Sequence, residues 1–438
     1  MKFKIKIKIA LFCLSAWMHY KAVAQSLYFP PLSSSQPWDT LSASTLGWCI
    51  NYVDSLYDFL DQNNTKGFIL LKDGKIVLEK YFGTFSADSF WYWASAGKTI
   101  TAFLIGKAQE ENYLHITDTT SDYLGTGWTS CSLTQEEKIT IWNQLTMTTG
   151  LDDGVIDPYC TDDTCLICLT NPGLRWAYHN APYTLLDQVL NNATGFSMNN
   201  YTNTRLKIKT GMSGFWVQLG YNNVYYSNVR SMARFGLLAQ NNFIWQNDTL
   251  LSDTIYKQQM INTSQQLNLA YGYLWWLNGK NSFMIPGSQL VFPGWLAPNA
   301  PQDMFAALGK DGQVLSISKG NGLVFARMGN SPSGPVPFTI CNDIWKILNQ
   351  IICSPSGFSN AQNEPVFEVL PNPATSILQV KTSVSQDFEI LIYDLSGRML
   401  LKHTNPKTIN ISRLSPGCYL LFFNSGTLQK TIKFIKSF

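Results

Sequence analysis

Histidine is scarce: the chain has four in 438 residues, and only His115 and His179 fall between the two terminal segments described below. A histidine-rich metal centre is therefore excluded, and a Ser-His-Asp hydrolase would have to take its base from one of those two residues. Long apolar runs are also lacking. The longest near the start, Ile9 to Trp17, is too short to span a bilayer. It follows Lys2, Lys4, Lys6 and Lys8 and precedes Ala22-Val23-Ala24, so residues 1–24 read as an export signal with a small-residue cleavage pattern. No later stretch reaches spanning length, and the mature chain is expected to have no transmembrane helix.

An excess of basic charge is missing as well. The formal charge of +3, less the five lysines Lys2, Lys4, Lys6, Lys8 and Lys21, leaves −2. A nucleic-acid partner is not indicated. From Val366 onward eight Lys or Arg stand against four Asp or Glu, giving that piece +4 and leaving −6 for Gln25 to Pro365.

What is present is enough apolar sequence for one large core and a smaller one. Leu46 to Leu60 has helical periodicity. Gly67 to Tyr81 reads as two strands joined at Asp73-Gly74, a strong hairpin signal. Ser95 to Glu110 reads as a helix, followed by a mostly helical, loop-rich middle to about Asn262. Strand patterns return at Asp303 to Leu308, Val314 to Ser318 and Leu323 to Arg327, with a last helix over Ile340 to Ile352. Strands at both ends with helices between them suggest an α+β fold whose antiparallel sheet pairs distant segments. Residues 354–365 are rich in chain breakers and read as a linker. Beyond them, short alternating strands at Phe388 to Tyr393, Thr408 to Ile411, Cys418 to Phe423 and Thr431 to Ile435 suggest a small β-sandwich over 366–438.

Export permits disulfides. Cys160, Cys165 and Cys168 share a polar loop where a local bridge is favoured over a zinc site, since no histidine flanks them at ligand spacing. Cys341 and Cys353 would lie on one helix about 18 Å apart, too far to pair with each other. A Cys49–Cys353 link would tie the terminal helices together.

Ser95-Ala-Gly-Lys98 opens a helix, where a spacing of three puts both side chains on one face. A serine hydroxyl needs a base to take its proton, and a lysine among uncharged neighbours can supply a neutral amine. Ser316-Ile-Ser-Lys319 repeats the pattern, but on a strand, where positions three apart face opposite ways. Tyr178-His-Asn180 offers a phenol that can relay the proton and an amide that can orient the lysine. Tyr201, Tyr221 and Tyr226 also begin Tyr-x-Asn triplets, and His179 is an alternative base. Asp152 and Asp153 read as a solvated turn before they read as paired acids. Phe90-Trp-Tyr-Trp93 and Trp275-Trp276 read as packing first, and as an acyl pocket second.

With these motifs in order, Leu46 to Cys353 resembles the serine β-lactamase and penicillin-binding superfamily, closest to its class C β-lactamase and esterase branch. Ser95-Ala-Gly-Lys98 is similar to the nucleophile motif. Ile139 to Gly150 resembles the segment ending in a Leu-Leu-Thr-His-Thr-Ser-Gly type run, and Trp176 to Leu190 resembles the Tyr-x-Asn box with its helix, which selects Tyr178. The third box falls at Ala307-Leu-Gly309-Lys310. There Ala307 stands where the family carries a lysine or histidine that binds a substrate carboxylate.

The resemblance implies an antiparallel sheet flanked by helices with an inserted helical domain over 25–353. It also implies an acyl-enzyme on Ser95 with Lys98 and Tyr178 as general base. Asn180 would orient Lys98 and substrate, Gly309 would permit close approach, and the Ser95 and Lys310 amides would hold the oxyanion. No cofactor or metal is needed. The expected reaction is hydrolysis of an ester or amide, with substrate choice set partly by Asn281 to Pro301. The rival readings are a β-lactamase or D-alanyl-D-alanine carboxypeptidase, and a non-catalytic surface-binding module of the same fold.

Residues 366–438 resemble the type A sorting domain of type IX secretion, through Leu370-Pro-Asn-Pro-Ala374, Ile392 to Arg398 and Leu414 to Tyr419. That implies the secretion machinery as partner, with export across the inner membrane and release or display at the outer surface.

Overall fold

Phe305–Gly309, Gln313–Ser318 and Leu323–Gly329 are buried along their whole length, which is why they read as apolar runs and not as alternating patterns. They form the centre of a six-stranded antiparallel sheet in the computed structural model of the chain. That model describes residues 27–33, 36–331, 336–353, 367–384, 386–395, 397–425 and 429–437. The expected leader 1–24 and linker 354–365 lie outside the described residues.

The strand order is β2 (Lys75–Tyr81), β1 (Thr65–Lys72), Leu323–Gly329, Gln313–Ser318, Phe305–Gly309, Trp276–Leu277. Segments far apart in sequence are thus neighbours, as the strands at both ends of the domain suggested. The β1–β2 turn uses Asp73 (φ 48°) and Gly74 (φ 86°). Gly74 is required there twice over, since a Cβ would also sit 1.9 Å from the Tyr28 carbonyl oxygen.

Helix α1 (Val53–Gln62) and the helix Phe338–Ile352 pack together at one face of the sheet, and Val229–Gln240 packs on the other. The helical reading of Leu46 to Cys49 is not realised: the segment begins with a 3-10 turn at Ile50–Tyr52, and Cys49 is instead bonded to Cys353. That disulfide joins the two helices at their ends. The local bridge is Cys160–Cys165, while Cys168 pairs with Cys131, a partner the sequence did not indicate. Cys341 is free and buried.

The middle of the domain is built from short helices, with one clear departure. Phe215–Leu219 and Asn222–Ser227 form a hairpin that pairs with Trp91–Tyr92, just ahead of Ser95. This hairpin sits within a stretch read as helix and loop. Its outer strand has exposed Phe215 and Leu219 in place of clean alternation.

The C-terminal domain is two sheets, one of three strands and one of four, packed over a shared core. Phe367, Val369, Leu378 and Ile409 meet Ile390, Ile392, Leu421, Phe423 and Phe434. Strands Phe367–Leu370, Ile377–Thr382 and Met399–Thr404 add to those read from the sequence. Among the described residues no helix is long and apolar enough to cross a membrane.

Candidate functional site

Ser95 is presented by a strained turn. After Trp91–Tyr92 leaves the hairpin, the Trp93 indole is buried and donates to Ser227 Oγ at 2.7 Å, which fixes the end of the strand. Ala94 then adopts φ 47°, a left-handed conformation costly for a residue with a Cβ. A 3-10 turn, Ala94–Gly97, carries half-buried Ser95 and runs into α2 (Lys98–Glu110). The sequence placed Ser95 in the first turn of one α-helix, whereas the structure places it in the 3-10 turn that leads in.

Lys98 is buried, and its Nζ donates to Asn180 Oδ1 at 2.8 Å. The same ammonium lies 3.8 Å from the centre of the Tyr183 ring and 5.4 Å from that of Tyr178. Burial lowers the Lys98 pKa to about 7, opposed by the charge of Asp187. Ser95 lies close enough to the Tyr178 hydroxyl to favour the phenolate, yet burial outweighs it and pushes the phenol well above its usual range. The Tyr178 ring is held by stacking on Trp276 (centroids 5.6 Å apart, 19° between planes) and edge-on against Tyr271. The residue before it is tethered, with Ala177 N–H donating to the Met147 carbonyl at 2.9 Å.

On the opposite side, strand Phe305–Gly309 runs directly against the Ser95 turn. A Cβ at Gly309 would lie 2.3 Å from the Trp93 carbonyl oxygen and 3.1 Å from Ser95 N. Only glycine permits this approach. The chain then turns through Lys310–Gly312, with the Lys310 side chain exposed and Asp311 at φ 62°. Tyr92 donates to Asp311 Oδ2 at 2.6 Å, so the residues before the serine and those after the glycine strand are tied together. Ala307 is fully buried, and no cation stands at that position.

The structure thus brings Ser95, Lys98, Tyr178, Asn180 and Gly309 into one site, with the Lys310 backbone beside it. The other candidates fall elsewhere. Both ring nitrogens of His179 are buried without a hydrogen-bond partner, and burial lowers its pKa to about 4. Asp153 pairs with Arg175 at 2.5 Å and Asp152 Oδ1 caps the turn at Gly154. Tyr201 bonds Glu111, and Tyr221 bonds Asp162. Tyr226 stacks on Phe215 in the hairpin. Ser316 accepts from the Trp345 indole in the core. Trp275 and Trp276 are buried packing, while Phe90 is exposed and stacked on Phe215. From the stretch 281–301, Gln289 donates to the Trp176 carbonyl at 3.0 Å, two residues before Tyr178.

Sequence reasoning missed Tyr183, Asp187 and the Tyr92–Asp311 tie. The first two were signalled by their spacing of three and seven from Asn180, which puts all three on one helical stripe. The tie joins residues 219 apart and left no local trace. Among the described residues no group of three or more His, Cys, Asp or Glu is placed to hold a metal ion.

An antiparallel sheet of this order, with a Ser-x-x-Lys turn, a Tyr-x-Asn segment and a glycine strand converging at one end, defines the serine β-lactamase and penicillin-binding class. The family model described as Beta-lactamase matches residues 65–349, and the chain belongs to that family. A second model, Secretion system C-terminal sorting domain, matches residues 368–437, so the β-sandwich is a type IX sorting domain. No functionally curated protein matches the chain. Among solved structures, the "Putative 6-aminohexanoate-dimer hydrolase from Bacillus anthracis" superposes with a TM-score of 0.55 at 18% identity, covering 73% of this chain and 89% of that one. The octameric penicillin-binding protein homologue from Pyrococcus abyssi superposes at 0.51 and 14% identity, covering 88% of this chain and 96% of that one. At these identities the likeness is one of fold.

Proposed function

We propose that the protein is a serine hydrolase that cleaves an ester or amide through an acyl-enzyme on Ser95. The observation that carries the reading is a buried lysine, three residues on from the serine, whose amine is hydrogen-bonded to neutral Asn180. With a pKa brought to about 7, Lys98 is substantially a neutral amine at neutral pH, whereas Tyr178 remains a phenol. Lys98 is therefore the resting base, and Tyr178 passes the proton between Ser95 and Lys98 as Oγ attacks the carbonyl. The backbone amides of Ser95 and Lys310 stabilise the oxyanion, which requires the close approach that Gly309 allows. Asn180 holds the Lys98 amine and orients the substrate. Water releases the acyl group by the same proton path in reverse.

Ala307 favours substrates without the carboxylate that β-lactams and D-alanyl peptides present. The stretch 281–301, which reaches Trp176 through Gln289, contributes to substrate choice. The sorting domain addresses the hydrolase to the type IX machinery, so the enzyme acts outside the cytoplasm, after crossing the inner membrane on a removable leader.

The test is labelling of the purified chain with a fluorophosphonate, with Ser95→Ala as control, followed by a panel of acyl esters, aryl amides, cephalosporins and peptidoglycan stems. Labelling that requires Ser95 and turnover of esters or aryl amides are expected. Equal labelling of the mutant would sink the mechanism, and preferential nitrocefin turnover would move the activity to β-lactams.

A further inference from the structure

Asn180, Tyr183 and Asp187 lie on two helical segments, Asn180–Thr184 and Leu186–Thr194, joined at Leu185, which is itself helical (φ −64°, ψ −16°). Spacings of three and four keep them on one stripe. The first accepts from Lys98 Nζ, and the second lies beneath the same ammonium at 3.8 Å. The third extends the stripe by one turn. Helical side chains lean toward the N-terminus, so the Asp187 carboxyl leans back toward Tyr183 and Lys98. The segment Leu186–Thr194 packs on α2, and Thr101, one turn beyond Lys98, has its hydroxyl 3.3 Å from that of Tyr183.

Asp187 is poorly provided for as scaffold. Its Oδ1 is buried without a hydrogen-bond partner, and the Asn223 side chain of the Asn222–Ser227 strand lies close enough to the carboxyl to favour its charged form. A half-satisfied buried carboxyl is costly, and such groups are kept most readily where a second charge uses them.

We propose that Asp187 is a positioning residue that acts through Lys98, supplying the negative counter-charge that lets the buried amine hold the proton taken from Ser95. The inference rests on the reading of Ser95 as nucleophile and Lys98 as base. As Ser95 Oγ bonds to the substrate carbonyl carbon its O–H bond breaks, and the proton ends on Lys98 as an ammonium in surroundings hostile to charge. The Asp187 carboxylate offsets that cost. When the C–O or C–N bond breaks, the same proton leaves Lys98 for the departing heteroatom, and Asp187 ends in the charge state in which it began.

The groups facing this pair are few. Tyr178 and Tyr183 come from the stripe and its lead-in, with Tyr271 behind them in the aromatic wall, and neutral Asn223 comes from the hairpin. Burial keeps the three tyrosines as phenols. Burial likewise brings Asp187 up to about 7, opposed by Asn223 and Lys98, and the charge of Asp187 opposes the fall of Lys98. Removing the Asp187 charge therefore lowers the Lys98 pKa and weakens it as a base.

The experiment follows the rate of fluorophosphonate labelling against pH for the full chain, Asp187→Asn, Asn223→Ala and Ser95→Ala. In Asp187→Asn the acid limb should move to lower pH by about half a unit to one unit. Its plateau rate should fall several-fold, with the probe's saturation constant unchanged. Asn223→Ala leaves the carboxyl in place but easier to protonate, so its limb should move less and in the same direction. A folded Asp187→Asn with an unmoved or raised limb overturns the role. If that variant does not fold, an unmoved limb in Asn223→Ala does so. Absent labelling of the natural chain, or labelling that survives Ser95→Ala, is a failure of the nucleophile reading itself and removes the role with it.

Discussion

Asn180 Oδ1 accepts a hydrogen bond from Lys98 Nζ at 2.8 Å, across 82 residues of sequence. The bond leaves the amine lone pair free when Lys98 is neutral, because the nitrogen acts as donor to the amide. Asn180→Ala should therefore lower kcat by about ten- to hundredfold through loss of amine placement. Asn180→Asp should behave differently. A carboxylate at that distance raises the Lys98 pKa, and the acid limb of the pH profile should move upward. Steady-state kinetics of the two variants on one ester separates placement from charge.

The pH profile of the unmodified chain follows from the direction of the Lys98 shift. Burial lowers its pKa to about 7, so the neutral, proton-accepting form is lost as pH falls through that value. Labelling and turnover should rise with pH through about 7 and level off above it, since Tyr178 stays protonated well beyond. Lys98→Arg keeps the positive charge but cannot supply a free base, and activity should fall about a thousandfold or more at every pH. A profile that rises only near pH 10 would place Lys98 in an unperturbed environment.

Much of this site was legible because local chemistry carried it. Ser95 and Lys98 are one turn apart, Tyr178 and Asn180 share a triplet, and the Asp73-Gly74 turn fixed the hairpin that starts the sheet. The hairpin at Phe215 to Ser227 was hidden because its outer strand exposes Phe215 and Leu219 and so lacks the alternation of a half-buried strand. The 3-10 turn at Ser95 was hidden for another reason. Ala94 has a left-handed φ that no alanine signals, and it is imposed by the strand pairing before it and by the buried Trp93. Cys131–Cys168 could not be read from spacing, since pairing among loop cysteines depends on where the loop folds back.

Gly309 should tolerate no larger residue. In Gly309→Ala the new methyl meets the Trp93 carbonyl at 2.3 Å and Ala96 N at 2.9 Å, both backbone atoms that cannot swing aside. The strand and the serine turn must then separate by several tenths of an ångström or more, and the Ser95 and Lys310 amides, the proposed oxyanion donors, move apart. A loss of about a hundredfold in kcat is expected, with a small change in melting temperature, measured side by side on one preparation.

Arg327 holds the turn that follows Gly309. Its fully buried guanidinium donates to the Gly312 carbonyl at 2.6 Å, the Asp311 carbonyl at 3.1 Å, the Asn63 carbonyl at 2.6 Å and Thr65 Oγ1 at 3.0 Å. None of these acceptors is a carboxylate, so the charge is solvated by oriented dipoles alone. Arg327→Met fills similar volume but strands several buried acceptors, each costing about 1–3 kcal/mol. The expected outcome is a lower denaturation midpoint together with reduced labelling of Ser95, because Asp311 also anchors Tyr92 in front of the serine turn. Arg327→Lys keeps the charge but offers fewer directed donors. It should recover part of the stability while leaving labelling impaired, and equal recovery of both would make the turn irrelevant to the site.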